Sequence, residues 1–257
     1  MSPPALTDLA AELRRIARAA GAEIMTYYGS GFSVRSKADS TPVTDADEAA
    51  ERLIIDALRR LAPEAPVVAE ERFAAGDVPD IAGGRFWLVD PLDGTKEFVS
   101  RNGEFTVNIA LVENGRPVLG VVHAPAVDVT YSSDGAAAFV EDGQGPPRPI
   151  RSRLAAADGI AAVVSRSHFS AATEAYLASH AVMERRSAGS ALKFGLVASG
   201  EADIYPRLGR TMEWDTAAGH AVVAAAGGSV KTLDGDELTY GKPGFENPHF
   251  VVRGRES

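Results

Sequence analysis

The segment DPLDGT at positions 90–95 places two aspartates three residues apart, directly after an apolar run. Its proline fixes the direction of the backbone, and its glycine permits a tight turn that would strain other residues. Such a turn can point the carboxylates of Asp90 and Asp93 and the carbonyl of Leu92 toward one point. Ligand sets made only of oxygen select hard cations, of which Mg²⁺ is the most available. The segment therefore predicts a metal site.

Further carboxylates are expected beside this segment. Glu70 ends the short apolar run 67–69, and Asp215 begins a late helix after a tryptophan. Four carboxylates at the ends of elements, where loops converge, are what a site for two or three metal ions requires. Thr95 is predicted to open a helical turn, so that the backbone N–H groups of Gly94 and Thr95 can hold a phosphate.

Each of these motifs also has a purely structural interpretation. Asp-Pro and Asp-Gly pairs are common turn material, and Asp215 before a run of small residues can be a helix N-cap. Glu70 and Glu71 can be a solvated pair in a loop. Thr44 and Asp47 have the spacing of a capping box, in which the aspartate only stabilises the start of a helix. Together these interpretations are weaker, because they do not explain why all the features occur in one chain.

The spacing of apolar residues predicts the elements that must position these groups. Helices are expected at 6–29, 46–61, 171–179, 190–199 and 216–226, and strands at 67–69, 85–89, 160–165, 181–185, 202–205, 229–233 and 250–252, with a meander of strands over 105–140. The plan is an N-terminal α+β half, residues 1–145, with helices against an antiparallel sheet and most of the metal ligands. A C-terminal α/β half, residues 146–257, completes the site. The Gly- and Pro-rich stretch 141–149 is the predicted linker.

The composition excludes several other classes of function. The 257 residues carry a formal net charge of −9 without a basic run, so nucleic acid is not an expected partner. No cysteine is present, which removes thiol catalysis, zinc–thiolate sites and iron–sulfur clusters. The N-terminus lacks the pattern of a signal peptide, and no apolar stretch is long enough to span a bilayer. A soluble, cytoplasmic protein is expected.

Four motifs taken together resemble the inositol monophosphatase superfamily of metal-dependent phosphatases. They occur in the order found in that family and reach into the last quarter of the chain. They are VTDAD at 43–47, AEE at 69–71, WLVDPLDGT at 87–95 and WDTAAG at 214–219.

The resemblance implies a layered αβαβα fold and a site for two or three Mg²⁺ ions. The implied ligands are Glu70, Asp90, the carbonyl of Leu92, Asp93 and Asp215. Thr95, paired with Asp47, is implied to orient and help deprotonate the attacking water, and Glu70 belongs to the same catalytic set. Metal ions that lower the pKa of water and neutralise phosphoryl oxygens allow in-line attack without a covalent intermediate.

Three later segments are similar to the CysQ branch of this superfamily, whose members hydrolyse 3′-phosphoadenosine 5′-phosphate to AMP and phosphate. These segments are GSALKF at 189–194, ADIYPR at 202–207 and GRTMEWDTAAGHA at 209–221. The resemblance implies a phosphorylated nucleotide as the small-molecule partner. The residues implied to contact it are Leu92, Asp93, Gly94, Thr95, Gly189, Ser190, Lys193, Arg207 and Asp215.

Arg207 is the residue that argues most for a second phosphate. Inositol-specific members have a carboxylate near this position that contacts sugar hydroxyls, whereas a guanidinium suits a phosphate. The alternatives are that Arg207 forms only a local salt bridge and that Lys193 is a solvated helix lysine.

The leading hypothesis is therefore a Mg²⁺-dependent 3′(2′),5′-bisphosphate nucleotidase. An inositol or sugar monophosphatase of the same superfamily is the alternative, and a non-catalytic nucleotide sensor is a third hypothesis from another class. The resemblance also implies a homodimer and peripheral association with the inner membrane, both of which the sequence leaves open.

Overall fold

Helical layers and β-sheets alternate through the structure, a computed structural model that describes residues 6–30, 34–36, 42–156, 158–167 and 169–256. Residues 1–5, on which the expectation of no signal peptide partly rests, lie outside the described part of the chain. Within the described part, no helix combines the length and the apolar character needed to cross a membrane.

Two helices form the first layer. Helix α1 (Leu6–Ser30) buries an apolar stripe that includes Leu9, Leu13 and Ile24, as the three- and four-residue spacing predicts. The β1–β2 hairpin (Val34–Ser36 and Pro42–Thr44) leads into α2 (Asp45–Leu61), whose acidic first turn and basic last turn suit the helix dipole. The two helices pack against each other and against one face of a large sheet.

This seven-stranded sheet has the strand order β3-β4-β5-β6-β7-β8-β9, and only its β3–β4 pair is parallel. Short helices α3 (Glu70–Ala74) and α4 (Thr95–Val99) follow β3 and β4. Asn114 and Gly115 have positive φ angles of 50° and 78° in the tight turn between β5 and β6, as is typical of an Asn-Gly hairpin turn. The strands are β3 (Val67–Ala69), β4 (Arg85–Asp93), β5 (Thr106–Glu113), β6 (Arg116–Ala124), β7 (Val129–Ser133), β8 (Ala138–Asp142) and β9 (Arg148–Ile150).

The linker prediction for 141–149 is wrong. Residues 138–140 pair with residues 148–150 in an antiparallel hairpin, so the stretch connects neighbouring strands of the same sheet. Glycine and proline suit a hairpin turn as well as a linker, and composition alone does not distinguish the two. The division of the chain at residues 145 and 146 stays a prediction.

The second sheet has five strands in the order β11-β10-β12-β14-β13. Helices α6 and α7 lie between the two sheets, and α5 packs on the outer side of the second sheet. The layered αβαβα arrangement is therefore confirmed. The remaining elements are β10 (Ile160–Ser165), α5 (Ala171–Ala178), β11 (Val182–Ala188), α6 (Leu192–Ala198), β12 (Ile204–Arg207), α7 (Glu213–Ala225), β13 (Ser229–Thr232) and β14 (Phe250–Arg253), with a 3₁₀ turn at Pro243–Phe245.

Glycines allow the middle helices to lie unusually close to their neighbours. A Cβ added to Gly120 on β6 would stand 2.3 Å from the carbonyl oxygen of Ala218 on α7. A Cβ on Gly219 would stand 2.3 Å from the Phe194 ring of α6. Helix α7 therefore has little freedom to shift relative to the first sheet, which matters because its first turn carries Asp215.

Gly120→Ala should lower the free energy of unfolding by about 1–3 kcal/mol, because the backbone of α7 must move to admit the methyl group. Urea unfolding of the metal-free protein measures this change. The matched control is Gly83→Ala, where an added Cβ has nothing within 4 Å. Equal stability of the two variants would show that the close approach to α7 does not constrain the fold.

Candidate active site

A bulge in β4 brings the two aspartates of the 90–95 segment to the same side of the sheet. Asp90 pairs with Asn108 and Asp93 pairs with Thr106, so two residues of β4 oppose the one residue between these partners on β5. In a regular strand, the side chains of residues three apart point to opposite faces of the sheet. The extra residue in the bulge changes this alternation, so that the side chains of Asp90 and Asp93 point to the same face. The prediction that the strand ends at residue 89 is wrong, since β4 continues to Asp93 and includes the bulged residues 91 and 92.

Both aspartates are held by hydrogen bonds. Asp90 is 2% exposed, and its Oδ1 accepts a bond from the Leu92 backbone N–H at 3.0 Å. The amide of Asn108 donates to Asp93 Oδ2 at 3.3 Å, and the Thr106 hydroxyl lies 3.5 Å from the same oxygen. Asn108 and Thr106 are not predicted from the sequence, where their only signal is their spacing of two along the partner strand.

Glu70 and Asp215 reach the same pocket from different elements. Glu70 begins α3 directly after β3, the parallel neighbour of β4. Asp215 lies in the first turn of α7, where its Oδ2 accepts a bond from the Met212 backbone N–H at 2.8 Å. Asp215 is therefore not the N-cap that one interpretation of the sequence predicts, because α7 begins at Glu213 and Met212 is its N-cap. It is the third residue of the helix, where one oxygen caps the helix start, and it also lines the pocket. Glu70 and Glu71 are both half-buried, so the interpretation as a solvated pair is wrong.

Asp47 combines the structural and the chemical interpretation in one carboxylate. Its Oδ2 accepts bonds from the backbone N–H and the hydroxyl of Thr44, at 2.8 and 2.6 Å, which caps α2. Its Oδ1 accepts a bond from the Thr95 hydroxyl at 3.2 Å. Asp47 is 1% exposed and lies behind the pocket, whereas Thr95 lines it. The Thr95 hydroxyl also lies 3.4 Å from the Leu92 carbonyl oxygen. The Asp47 carboxylate is the closer acceptor and is charged, so it favours the Thr95 proton and leaves the oxygen lone pairs available.

Buried negative charge is the electrostatic character of this pocket. Burial raises the pKa of Asp93 to about 6, with Lys193 opposing the shift. Burial and the nearby Asp93 and Glu70 raise the pKa of Asp215 to about 8. The charge of both carboxylates is therefore unfavourable in the pocket, and Asp215 is largely protonated at neutral pH. A divalent cation supplies the positive charge that favours their ionised forms.

The donor set fits Mg²⁺. Glu70, Asp90, Asp93, Asp215 and Leu92 line the pocket and offer carboxylate and carbonyl oxygens. Among the described residues, no three Asp, Glu or His side chains gather closely enough to hold an ion by themselves. Mg²⁺ usually keeps several waters and takes one or two carboxylates, so a triad is not required.

Two buried cations, Lys193 and Arg207, line the same pocket as the carboxylates. Lys193 is 3% exposed and donates to the carbonyl of Ser190 at 2.5 Å, so the interpretation as a solvated helix lysine is wrong. Burial lowers its pKa to about 8, while Asp93 acts in the opposite direction. Arg207 is 9% exposed and donates from Nη2 to the carbonyl of Arg210 at 2.9 Å.

The Arg207 guanidinium has hydrogen-bond donors that are not used within the protein. Its buried Nε has no hydrogen-bond acceptor, and no ion pair to Arg207 occurs within the described ranges. The local salt bridge considered from the sequence is therefore not observed there. A buried guanidinium with unused donors at a pocket is suited to bind an anion.

Gly189 and Ser190 precede α6 rather than beginning it. Ser190 has a φ of 47°, outside the helical region, so the helix starts at Leu192 and not at the predicted residue 190. Ser190 lines the pocket, but its hydroxyl lies 2.7 Å from the carbonyl oxygen of Asp93. Gly189 lies behind the pocket wall, whereas Gly94, at a φ of 92°, lines it.

The pocket has further lining residues that sequence analysis did not select. Phe194 and Tyr205 form an aromatic wall with ring centroids 5.5 Å apart. Both follow from the apolar pattern of their elements, but that pattern does not distinguish a pocket wall from the core. The other lining residues are Lys96, Glu97, Ser165, Arg210, Thr211 and Thr216.

Comparison with known proteins places this site in a family. The model of the inositol monophosphatase family matches residues 5–252. A 3′(2′),5′-bisphosphate nucleotidase, CysQ, of Shigella flexneri is 49% identical over 93% of this chain and 96% of its own length. The protein of the same name from Escherichia coli strain K12 is 48% identical over the same shares.

Solved structures agree with these relatives. CysQ from Bacteroides thetaiotaomicron superimposes with a TM-score of 0.83 at 38% identity and covers 98% of each chain. An inositol monophosphatase from Anabaena gives a TM-score of 0.76 at 26% identity over 97% of this chain and 92% of its own.

The contribution of Asp93 and Asp215 to the stability of the metal-free protein should fall as pH rises from about 4 to about 8. The folded pKa values of Asp93 and Asp215 lie above the ordinary value of 3.8, so the folded state holds protons that the unfolded chain has lost in this window. Mg²⁺ should therefore raise the melting temperature more at pH 8.5 than at pH 5.5. Thermal unfolding with EDTA and with Mg²⁺ measures both effects.

The control for this experiment is Asp56→Asn on the exposed face of α2, which should behave like the wild type. Asp215→Asn should remove much of the pH dependence and weaken the Mg²⁺ effect. A Mg²⁺-induced shift that is the same at both pH values in the wild type would contradict the assignment of these carboxylates.

Proposed function

The chain belongs to the inositol monophosphatase family, and from this premise we propose that it is a Mg²⁺-dependent 3′(2′),5′-bisphosphate nucleotidase. Its substrate would be 3′-phosphoadenosine 5′-phosphate, and its products AMP and phosphate. Family members are typically metal-dependent, and we propose two or three Mg²⁺ ions for this chain. Relatives that are 48–49% identical over most of their length and carry this activity in their names support the proposal.

The observation that carries the substrate assignment is the buried Arg207 with its unused donors. The pocket is lined by carboxylates, which suit metal ions and the phosphate to be cleaved. Arg207 and Lys193, both less than 10% exposed, line the same pocket. A substrate with two phosphates gives both the metal ions and these cations an anionic partner, whereas a neutral polyol ring gives Arg207 no partner.

Glu70, Asp90, Asp93, Asp215 and the Leu92 carbonyl would hold the ions. Bound Mg²⁺ lowers the pKa of water and neutralises the phosphoryl oxygens. Thr95, whose own proton is directed to Asp47 Oδ1, accepts the hydrogen bond of the attacking water and orients it. Asp47, through Thr95, favours removal of the water proton as the new phosphorus–oxygen bond forms.

The bond between phosphorus and the ribose 3′ oxygen breaks as the new bond forms, and that oxygen takes up a proton. Lys193 and Arg207 hold the 5′-phosphate in place during this step, while the backbone N–H groups of Gly94 and Thr95 orient the 3′-phosphate. Phe194 and Tyr205 provide an apolar wall. The cytoplasm remains the expected place of action, and the homodimer and the peripheral membrane contact remain expectations.

An inositol or sugar monophosphatase is the alternative within the family, and the Anabaena structure illustrates that such enzymes share the fold. A non-catalytic nucleotide sensor is disfavoured by the intact Thr95–Asp47 pair, which binding alone does not require.

Arg207→Ala should lower kcat/KM for 3′-phosphoadenosine 5′-phosphate by about ten- to a hundredfold, since a hydrogen bond to a charged group contributes about 1.5–3 kcal/mol. Turnover of 3′-AMP, which lacks the 5′-phosphate, should hardly change. Phosphate release with Mg²⁺ measures both. If wild-type protein hydrolyses inositol 1-phosphate or 3′-AMP as fast as the bisphosphate, the bisphosphate assignment is wrong and the phosphatase assignment stands.

Thr95→Val should lower kcat by about 10²–10⁴, the usual contribution of a group that handles the proton of the nucleophile, with little loss of stability. Asp47→Asn should lose activity to a similar extent but keep an acceptor for the Thr44 N–H, and so nearly keep the melting temperature. Asp47→Ala should lose both, because the cap of α2 is lost as well. Full activity in Asp47→Asn would leave Asp47 with the capping role alone.

A further inference from the structure

A seam of contacts joins the two predicted halves beside the pocket, and Glu104 stands at its centre without lining the pocket. Its Oε2 accepts a hydrogen bond from the Gly189 backbone N–H at 2.7 Å. Both of its oxygens accept bonds from Arg166 at 2.7 Å, in the two-pronged geometry that a guanidinium and a carboxylate favour. One carboxylate thus binds two separate loops of the C-terminal part of the chain.

The backbone of Glu104 takes part in the same seam. The hydroxyl of Ser190 lies 2.8 Å from the Glu104 carbonyl oxygen and 2.7 Å from that of Asp93, so one proton is shared between them. Ser190 adopts a left-handed backbone at a φ of 47°, which persists for a residue with a Cβ only where the surroundings hold it. The bonds that Glu104 makes to Gly189 and to Ser190 help to hold it, together with the bonds of Ser190 to Asp93 and Lys193.

The seam is packed too closely to admit extra atoms. A Cβ on Gly189 would stand 2.5 Å from the Glu104 carbonyl oxygen. A Cβ on Gly94 would stand 2.1 Å from the Ser190 hydroxyl oxygen. The Gly189–Ser190 segment therefore rests directly on the metal-ligand turn, and movement of either would displace the other.

The loop after β10 is held from the same side. Arg166 also donates to the carbonyl of Ser187 at 3.2 Å, and the hydroxyl of Ser167 donates to the buried carboxylate of Glu97. Ser165, at the start of this loop, lines the pocket. Carboxylates of the N-terminal part thus position both loops that approach the pocket from the C-terminal part.

We propose that Glu104 is a positioning residue that ties the substrate-binding segment Gly189–Ser190 to the metal-ligand turn at 90–95. It acts through these backbone groups and not by touching substrate. The inference rests on the proposed function only for the choice of substrate used in the test. It also assigns the Ser190 hydroxyl to the seam rather than to the substrate.

Glu104→Ala should raise KM for 3′-phosphoadenosine 5′-phosphate by about tenfold or more, because charged hydrogen bonds that order the binding segment are lost. The kcat value should stay within about threefold. The Mg²⁺ concentration that gives half of the thermal stabilisation, measured without nucleotide, should rise severalfold. Glu104→Gln keeps an acceptor for the Gly189 N–H and should be intermediate. Arg166→Ala leaves that bond intact and should have a smaller effect than Glu104→Ala.

The matched control is the ion pair between Glu174 and Arg185, which is also two-pronged, at 2.6 and 3.0 Å, but lies away from the pocket. Glu174→Ala should leave KM and the Mg²⁺ midpoint unchanged. If Glu104→Ala matches Glu174→Ala, or lowers only the melting temperature, the positioning role is wrong. If Glu104→Ala does not fold, Glu104→Gln carries the same test.

The two proposals fail in distinguishable ways. If the wild type hydrolyses inositol 1-phosphate and not the bisphosphate, the proposed substrate is wrong. The positioning role of Glu104 is then tested with inositol 1-phosphate as substrate. The KM and the Mg²⁺ midpoint of Glu104→Ala are compared with those of Glu174→Ala, as above.

Discussion

Three aspartates and two glutamates line one pocket, and the surrounding structure has to hold them in place against their mutual repulsion. Burial raises the pKa of Asp93 and Asp215, which means that their charge is unfavourable there without a cation. Each aspartate is nevertheless fixed by a donor. The Leu92 N–H holds Asp90, the Asn108 amide holds Asp93 and the Met212 N–H holds Asp215. These bonds prepare the oxygens for a metal before it arrives, which lowers the ordering cost of binding.

The fold supplies these carboxylates from distant parts of the chain. The bulge in β4 turns Asp90 and Asp93 to one side, and α7 brings Asp215 from between the two sheets. Asp47 and Asp215 are held in place in the same way. Each sits in the first turn of a helix and uses one oxygen for the cap, so the helix start fixes where the other oxygen lies. Close packing of α7 at Gly120 then fixes the helix itself.

Sequence patterns predicted the parts of this account that depend on local spacing. The DPLDGT segment, the start of α2 at the capping pair and the layered fold implied by the family motifs all follow from short stretches of chain. The bulge does not, because it is defined by the pairing of β4 with β5 and not by either strand alone. The burial of Lys193 also escaped prediction, since a helix lysine is buried or exposed according to what packs above it. Stretch 141–149 was misassigned because glycine and proline serve both turns and linkers.

The role of Glu104 lies furthest from what a sequence can indicate. It precedes β5 without a motif, and its partners Arg166 and Gly189 lie 62 and 85 residues away in the chain. Only the packing of the two sheets around α6 and α7 brings them together. The same packing brings the carboxylates, Arg207 and Lys193 to the walls of one pocket, so that this pocket carries both negative and positive charge.

The central claim is that the carboxylates of this pocket hold divalent cations and that Arg207 and Lys193 hold the second phosphate of a nucleotide. The most direct measurement is a crystal structure with Mn²⁺ and AMP, in which anomalous scattering locates the metal independently of any activity. The account predicts peaks bonded to Glu70, Asp90, Asp93 and Asp215, with the 5′-phosphate of AMP against Arg207. Anomalous peaks at other carboxylates only, or a phosphate that leaves Arg207 without a contact, would contradict it.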